Sequence, residues 1–151
     1  MLQHLSKNAR EVIGAAQQLA QAESGEYMGT EHLLLAICQQ NHGASGYLFQ
    51  NQDVSYEDLL MQFSMINHDI CEETWVVTGR LKGTPHFKSV FTNAIEQAQF
   101  TKHPQIESAH FMLAILRENG CKAQVALNYF GVTSEMVRQA IEQFAMAPAV
   151  E

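Results

Sequence analysis

Apolar residues recur every three or four positions along most of the chain, which is the spacing of amphipathic helices. Ser6 and Thr84 each precede such a stretch and are predicted to cap a helix, with Pro85 at the first helical position after Thr84. The two apolar stripes consist of Ala9, Val12, Ile13, Ala16, Leu19 and Ala20 in one helix and of Phe87, Val90, Phe91, Ala94 and Ala98 in the other.

The two helices belong to a longer internal repeat. Shifting the chain along itself from Val12 to Val90, an offset of 78 residues, aligns identical residues without a gap. The identical pairs are Val12 and Val90, Ala16 and Ala94, Ala20 and Ala98, Gln21 and Gln99, His32 and His110, Leu35 and Leu113, Ala36 and Ala114, Ile37 and Ile115, Asn41 and Asn119, Val54 and Val132, and Glu57 and Glu135. A repeat of this kind determines the fold class, because each copy forms the same unit.

Each copy contains three further predicted helices. Thr30 and Ser108 are predicted to cap the second helices, and Ser55 and Thr133 the fourth. The third helices are predicted at about 44–51 and 122–130, with Asp53 and Gly131 in left-handed conformation after them. The second helices bury Leu33, Leu34 and Ile37, and Phe111, Met112 and Ile115; the fourth bury Leu59, Leu60, Phe63 and Ile66, and Met136, Val137, Ile141 and Phe144.

The predicted fold is therefore all-α, with two tandem four-helix repeats, eight helices in all, related by a pseudo-twofold axis. Repeat one covers about 4–68 and repeat two about 84–145 within one domain, 1–145. The connection at about 69–83 loses helical periodicity, and Trp75, Val76 and Val77 predict a short extended segment there. Residues 146–151, with the string Ala-Pro-Ala, are predicted to be the start of a linker or tail.

Charge and apolar content narrow the class of protein. The chain has 16 acidic and 9 basic residues and a formal net charge of -7, which argues against binding a nucleic-acid backbone. The longest apolar run, Leu33 to Cys38, is far shorter than the roughly 20 residues that span a membrane. The first residues lack the pattern of a secretory signal. We expect a cytoplasmic protein with no membrane partner.

The repeat resembles a known family. The string Gly-Thr-Glu-His-Leu-Leu-Leu-Ala-Ile at Gly29 to Ile37, within the tandem arrangement, is similar to the Clp N-terminal repeat of Clp-type AAA+ unfoldases. Thr84 and Pro85 at the start of copy two resemble the ClpC-type version. Copy two departs from the motif with Glu107-Ser108-Ala109-His110, and copy one has Asp53 in place of the usual glycine.

The resemblance implies a non-catalytic N-terminal domain that recruits protein substrates and adaptor proteins to a Clp ATPase ring and, through it, to a Clp peptidase. No phosphate-binding loop of the Gly-x-x-x-x-Gly-Lys type occurs in the chain, so we expect no enzymatic activity and no cofactor. The Ala-Pro tail favours an excised domain. The alternatives are a free-standing modulator of a Clp protease, the N-domain of a secretion-system Clp ATPase, or a small helical enzyme or metal-binding regulator.

The candidate site comprises Ser6, Glu31 and Thr84. The resemblance to ClpC-type domains implies that helix-terminal hydroxyls bind the phosphate of phosphoarginine, while the glutamate of Gly-Thr-Glu-His binds its guanidinium. Copy one retains Ser6 and Glu31, whereas copy two retains Thr84 but has Ala109. Glu107, about 200° away around an ideal helix, is not expected to replace the missing acid. The competing interpretation is that the two hydroxyls only cap helices and Glu31 only favours the helix dipole.

Other candidate groups have a structural and a functional interpretation. His32 and His110 occupy equivalent positions without a second ligand at helical spacing, which predicts packed residues and no metal site. Cys38, Cys71 and Cys121 are predicted to be free thiols. The acidic group of Asp69, Glu72 and Glu73 is either a solvated loop or a contact for a basic adaptor. An apolar groove between the repeats, lined by exposed residues such as Tyr27, Phe100 and Tyr129, is a further candidate surface.

Overall fold

Two sets of four helices make up the protein. The structure, a computed structural model, describes residues 5–22, 27–65, 75–76 and 82–145. The helices of these segments are α1 (Lys7–Ala22), α2 (Thr30–Gln40), α3 (Gly43–Asn51), α4 (Tyr56–Ser64), α5 (Pro85–Phe100), α6 (Ser108–Arg117), α7 (Lys122–Tyr129) and α8 (Ser134–Ala145). The predicted all-α fold with eight helices in two repeats is confirmed.

A small ribbon of two-residue strands joins the ends of the repeats. Strand β1 (Tyr27–Met28) pairs in parallel with β3 (Lys82–Gly83), and β2 (Trp75–Val76) pairs with β3 in antiparallel orientation. The extended segment predicted at Trp75 is thus confirmed for its first two residues, and Val77 lies outside the described residues. A parallel bridge between Leu5 and Ile106 occupies the equivalent place on the other side of the molecule.

Most of the predicted helix ends are found where the sequence placed them. The hydroxyls of Ser6 and Thr84 accept hydrogen bonds from the backbone N–H groups of Ala9 and Phe87, both at 3.1 Å. Ser55 and Thr133 likewise cap α4 and α8. The residues after α3 and α7, Asp53 and Gly131, have φ values of 56° and 78°, as the predicted left-handed conformation requires.

The predicted caps of the second helices are wrong by one residue. Thr30 and Ser108 are the first residues inside α2 and α6, and the capping positions belong to Gly29 and Glu107. The physical reason is that the hydroxyls of Thr30 and Ser108 point across to the other repeat. The backbone N–H groups of Gly29 and Glu107 instead donate to Nδ1 of the histidine three residues later, at 2.9 and 2.8 Å.

One continuous apolar core runs through both repeats. Helix α1 packs against α2 and α5 against α6, and the predicted apolar residues of α2 and α6 are all buried. On α4 the prediction holds for Leu59 and Phe63, whereas Leu60 is 42% exposed because it lies beyond the edge of the buried stripe. Ile66 and the side chain of Phe144 lie outside the described residues.

Candidate functional site

The two repeats meet through their second and third helices. Helix α2 packs against α7, and α3 packs against α6. At these contacts the Thr30 hydroxyl accepts from the backbone N–H of Ala123 at 3.3 Å, and the Ser45 and Ser108 hydroxyls are 2.7 Å apart. The offset that aligns the repeats maps Thr30 on Ser108 and Ser45 on Ala123, so the same contact occurs twice. The buried polar groups of the interface therefore follow the pseudo-twofold symmetry.

Ser6 lies against the second repeat. Its backbone N–H donates to the carbonyl of Ile106 at 3.0 Å, and its hydroxyl donates to Oε1 of Glu107 at 2.8 Å while accepting from Ala9. The side chain is 6% exposed. The amino terminus of α1 is thus placed beside the amino terminus of α6, and a carboxylate from repeat two faces the positive end of the α1 dipole.

Thr84 occupies the equivalent position on the other side. Its backbone N–H donates to the carbonyl of Met28 at 3.0 Å, and its hydroxyl caps α5. Met28 immediately precedes the amino terminus of α2, which carries Gly29 and Glu31. The structure therefore groups Ser6 with the start of α6 and Thr84 with the start of α2. The Ser6 hydroxyl contacts Glu107 of the other repeat, so the within-repeat pairing of Ser6 with Glu31 is not the one observed. Thr84 reaches the start of α2 through its backbone N–H, and its hydroxyl caps its own helix.

Glu31 contacts a lysine from repeat two. Its Oε2 lies 3.4 Å from Nζ of Lys122, and the two side chains are only 16% and 5% exposed. The carboxylate folds back over the start of its own helix, since a Cβ built on Gly29 would clash with Oε1 of Glu31. A nearly buried carboxylate is stabilised there by the ammonium group and by the helix dipole.

Glu107 is the carboxylate beside Ser6, although the reasoning from sequence had set it aside. It has extended backbone angles, φ -103° and ψ 167°, because it is the capping residue of α6 and not a residue within the helix. The 200° separation of an ideal helix therefore does not apply to it. The sequence did contain a signal for this residue, because the acid has moved by two positions between the repeats. Repeat one has Gly29 and Glu31, and the equivalent residues of repeat two are Glu107 and Ala109. Both repeats place a carboxylate at the start of the second helix, from different positions.

The two histidines at equivalent positions of the repeats are packed residues. His32 and His110 are 5% and 0% exposed, and each accepts the backbone hydrogen bond that closes the start of its helix. Burial and, to a smaller extent, the nearby His103 together lower the pKa of His110 to about 4. The imidazoles of His103 and His110 are in edge-to-face contact, with ring centroids 5.0 Å apart. The prediction that both histidines are packed residues is confirmed.

The remaining candidates are dispersed. The hypothesis of an apolar groove requires Tyr27, Phe100 and Tyr129 to be exposed. Their exposed fractions are 37%, 75% and 68%, respectively. The side chain of Cys121 is buried and that of Cys38 is half-buried. Cys71 and the acidic group of Asp69, Glu72 and Glu73 lie outside the described residues.

In residues 5–22, 27–65, 75–76 and 82–145, no three His, Cys, Asp or Glu side chains are grouped so that they could hold a metal ion. None of the helices described there combines the length and the apolar character needed to cross a bilayer.

Comparison with known proteins identifies the family. The family model described as the Clp repeat (R) N-terminal domain matches residues 4–94 and 82–150. The chain therefore belongs to the Clp repeat N-terminal domain family. Domains of this family are non-catalytic N-terminal parts of Clp ATPases.

The similar proteins are much longer than this chain. The chloroplastic chaperone protein ClpC1 of Arabidopsis thaliana is 25% identical over 138 residues, which are 91% of this chain and 14% of that protein. A probable ATP-dependent Clp protease ATP-binding subunit of Chlamydia pneumoniae is 24% identical over 145 residues, 93% of this chain and 16% of that protein. The chain thus spans about one sixth of their length or less.

Solved structures with the same fold come from several Clp ATPases. The N-terminal domain of the chaperone ClpD from Arabidopsis thaliana superposes with a TM-score of 0.69 at 17% identity, covering 93% of this chain and 94% of that one. The N-terminal domain of the ClpV1 ATPase from the Sci1 type VI secretion system of E. coli has a TM-score of 0.68 at 20% identity, covering 94% and 85%. These likenesses establish the fold.

Proposed function

We propose that this chain is a non-catalytic module that recruits protein substrates and adaptors to a Clp-type ATP-dependent unfoldase. The observation that carries the proposal is the match of both repeats to a domain family found in Clp ATPases. The relatives that the chain resembles are named as ATP-binding subunits of Clp proteases and as chaperones. A Clp peptidase is then reached through the ATPase ring and not through this domain.

The test uses the intact parent complex with the 151-residue chain added in excess. Added chain should compete for clients and adaptors, so client degradation slows while basal ATP hydrolysis by the ring stays unchanged. A chain carrying Leu113→Asp, which disrupts the core, serves as the inactive control. Unchanged degradation at saturating concentrations of added chain would contradict recruitment.

The gene separates this function from its alternatives. An open reading frame that continues into two ATPase modules supports the recruiting domain, and a stop soon after codon 151 supports a free-standing modulator. The likeness to the ClpV1 N-domain favours a secretion-system ATPase as the second candidate. In that case the added chain should bind a sheath-protein helix and leave degradation by a Clp protease unaffected.

We also propose that the helix starts containing Ser6, Glu31 and Thr84 bind phosphoarginine, with Glu107 as the acid beside Ser6. The contact between Ser6 and Glu107 and the position of Thr84 next to the start of α2 support two sites across the repeat interface. A free phosphate beside Ser6 would be repelled by the Glu107 carboxylate. A phosphoguanidinium group brings its own cation, so both charges can be satisfied together.

The two sites differ in what the ligand must displace. At the start of α2, the guanidinium competes with Lys122 for Glu31, whereas at the start of α6 Glu107 is bonded only to the neutral Ser6 hydroxyl in the contacts described. The Ser6 site should therefore be the stronger one. A hydrogen bond to a charged group is worth about 1.5–3 kcal/mol, so Glu107→Ala should weaken binding there ten- to a hundredfold.

Titration calorimetry with free phosphoarginine measures this difference. Glu107→Ala should remove the tighter site, while Glu31→Ala should remove only the weaker one. Thr84→Val and Ser6→Ala each remove one of the hydroxyls proposed to bind the phosphate, and they test that part of the site. If Glu31→Ala alone abolished all binding, the ligand would be bound by Ser6 together with Glu31, as the sequence predicted. Absence of binding at millimolar ligand would leave these residues as helix-terminal groups without a recruiting role.

A further inference from the structure

Helix α4 exposes apolar side chains that its counterpart α8 does not have. Leu60, Met61 and Met65, at the end of α4, are 42%, 69% and 75% exposed. The equivalent positions of repeat two, given by the same 78-residue offset, are the polar residues Arg138, Gln139 and Gln143. The internal repeat thus provides a control: the fold tolerates polar side chains at these three positions, so packing does not explain the apolar ones.

A second exposed apolar pair lies on the neighbouring helix. Helix α4 packs against α7, on which Val125 and Tyr129 are 39% and 68% exposed. These two residues are four positions apart and therefore share one face of α7. We call the five residues Leu60, Met61, Met65, Val125 and Tyr129 the α4–α7 surface. Methionine is suited to such a surface because its flexible, polarisable side chain adapts to different partners.

The stretch of sequence that contains α4 carries charged side chains of one sign. No lysine or arginine occurs from Glu11 to Gly79, a stretch that includes α2, α3 and α4. The acidic residues in that stretch are Glu11, Glu23, Glu26, Glu31, Asp53, Glu57, Asp58, Asp69, Glu72 and Glu73. Helix α7 contributes one lysine, Lys122, which is buried and paired with Glu31. At the start of α4, the acids Glu57 and Asp58 lie within one turn of the exposed Leu60 and Met61 on the same helix.

The Cys38 thiol reports the same negative potential. Cys38 lies on α2, which packs against α4. Burial, together with the carboxylates of Glu57 and Asp58, raises the pKa of its thiol to about 11. Both acids are at the start of α4, where they also favour the helix dipole.

We propose that the α4–α7 surface binds a cationic amphipathic helix of a partner protein. Its apolar face would pack on the methionines and Tyr129, and its lysines or arginines would face Asp53 and Glu57 at the acidic end of α4. A second copy of this chain fits poorly, because two surfaces of equal negative charge would repel each other. None of the five residues of the surface belongs to the proposed phosphoarginine sites, although Val125 lies one turn along α7 from Lys122.

The test measures direct binding to the 151-residue chain. The probe is a fluorescently labelled synthetic peptide of about 18 residues with leucines at helical spacing and lysines elsewhere. Binding is followed by anisotropy, and the methyl resonances of Met61 and Met65 report the location. A peptide with glutamates in place of the lysines tests the charge requirement. The cationic peptide should bind, shift both methyl resonances and bind more weakly as salt is raised.

The decisive variant gives α4 the polarity of α8. Leu60→Gln combined with Met61→Gln and Met65→Gln should weaken peptide binding about tenfold or more, since buried apolar anchors dominate such interfaces. Asp53→Asn with Glu57→Gln should weaken it about threefold and flatten the salt dependence. Phe100→Gln removes an equally exposed apolar side chain elsewhere and should change nothing. Thermal unfolding of each variant verifies that the fold is retained.

Four outcomes would overturn the proposal. They are absence of binding, equal binding of the glutamate peptide, unchanged affinity in the triple glutamine variant, and self-association of the chain that the triple variant abolishes. The last would assign the surface to a second copy. Because the assay requires neither an ATPase ring nor a client, its failure would leave the recruiting function open, and failure of recruitment would not affect the peptide result.

Discussion

The two repeats share their backbone and core but differ in the polar residues at their interface. In one half of the interface Glu31 and Lys122 form a nearly buried ion pair, and in the other half the equivalent residues are Ala109 and Ala44. Both members of the charged pair are replaced together, so neither half leaves a charge without its partner. The same fold therefore accommodates either a charged or an apolar pair at this contact, provided that the two sides match.

The surfaces of the repeats differ even more than their interface. Repeat one combines an acidic stretch without lysine or arginine and the exposed methionines of α4, whereas α8 of repeat two carries Arg138 and glutamines at the corresponding positions. Because surface residues contribute little to stability, a duplicated unit can diverge there without losing its fold. The comparison suggests three measurements in which the repeats should respond differently.

The largest effect should come from lowering the pH, through His110. Its imidazole has a pKa of about 4 in the folded state against an ordinary 6.5, so the unfolded chain binds the proton first. Stability from this group is present above pH 6.5 and is lost as the pH falls toward 4, by up to about 3 kcal/mol.

The matched variant for this loss is His110→Gln, because glutamine at the third helical position can still accept the backbone N–H of Glu107. Chemical denaturation at several pH values should show a shallower loss between pH 6.5 and 4 in the variant than in the parent chain. Parallel pH profiles for the two proteins would exclude His110 as the source.

The second effect concerns the charged half of the interface. Glu31→Ala leaves the buried Lys122 ammonium without this carboxylate and should lower the free energy of unfolding by about 2 kcal/mol. Adding Lys122→Ala recreates the alanine pair of the other half and should recover much of that loss. Urea denaturation of the single and double variants gives the coupling energy. Additive losses would show that the two side chains act independently.

The smallest effect concerns the turn between the second and third helices. A Cβ added at Gly46 would lie 2.8 Å from the carbonyl carbon of Asn41, so Gly46→Ala should lower stability by about 1–2 kcal/mol. Repeat two has Gln124 at this position, so a side chain is accommodated at the equivalent place.

Gly14→Ala is the control for this substitution, because no atom lies within 4 Å of the added Cβ in the middle of α1. Alanine there should raise stability by about 0.5–1 kcal/mol. Thermal unfolding of both variants compares the two sites directly. A stabilising Gly46→Ala would mean that the turn relaxes around the added methyl group.

Local sequence was sufficient for the helices and for most of their ends. The spacing of apolar residues and the capping residues Ser6, Thr84, Ser55 and Thr133 depend on interactions within a few residues. Thr30 and Ser108 were misplaced because their hydroxyls have partners about 60 to 90 residues away in the chain, such as Ser45 and Ala123. A cap is chosen by local geometry only when no distant partner competes for the side chain.

The candidate site was predictable in its residue types but not in its pairing. The serine, threonine and glutamate could be found from the motif, and each does lie at the start of a helix. Their partners could not, because Ser6 meets Glu107 and Glu31 meets Lys122 across the repeat interface. Because the chain is duplicated, a pairing within one repeat was the simplest expectation. In the folded protein, Ser6 and Glu31 instead contact residues of the other repeat.

The sequence by itself therefore determined the helices, their repetition and the family, since these follow from periodicity, capping chemistry and a local motif. Only the tertiary structure decided which repeat supplies the acid beside Ser6 and which apolar residues of α4 stay in solvent. Both depend on how α2, α3, α6 and α7 pack together. That packing is set by contacts between residues far apart in the chain, for which the spacing along one helix carries no information.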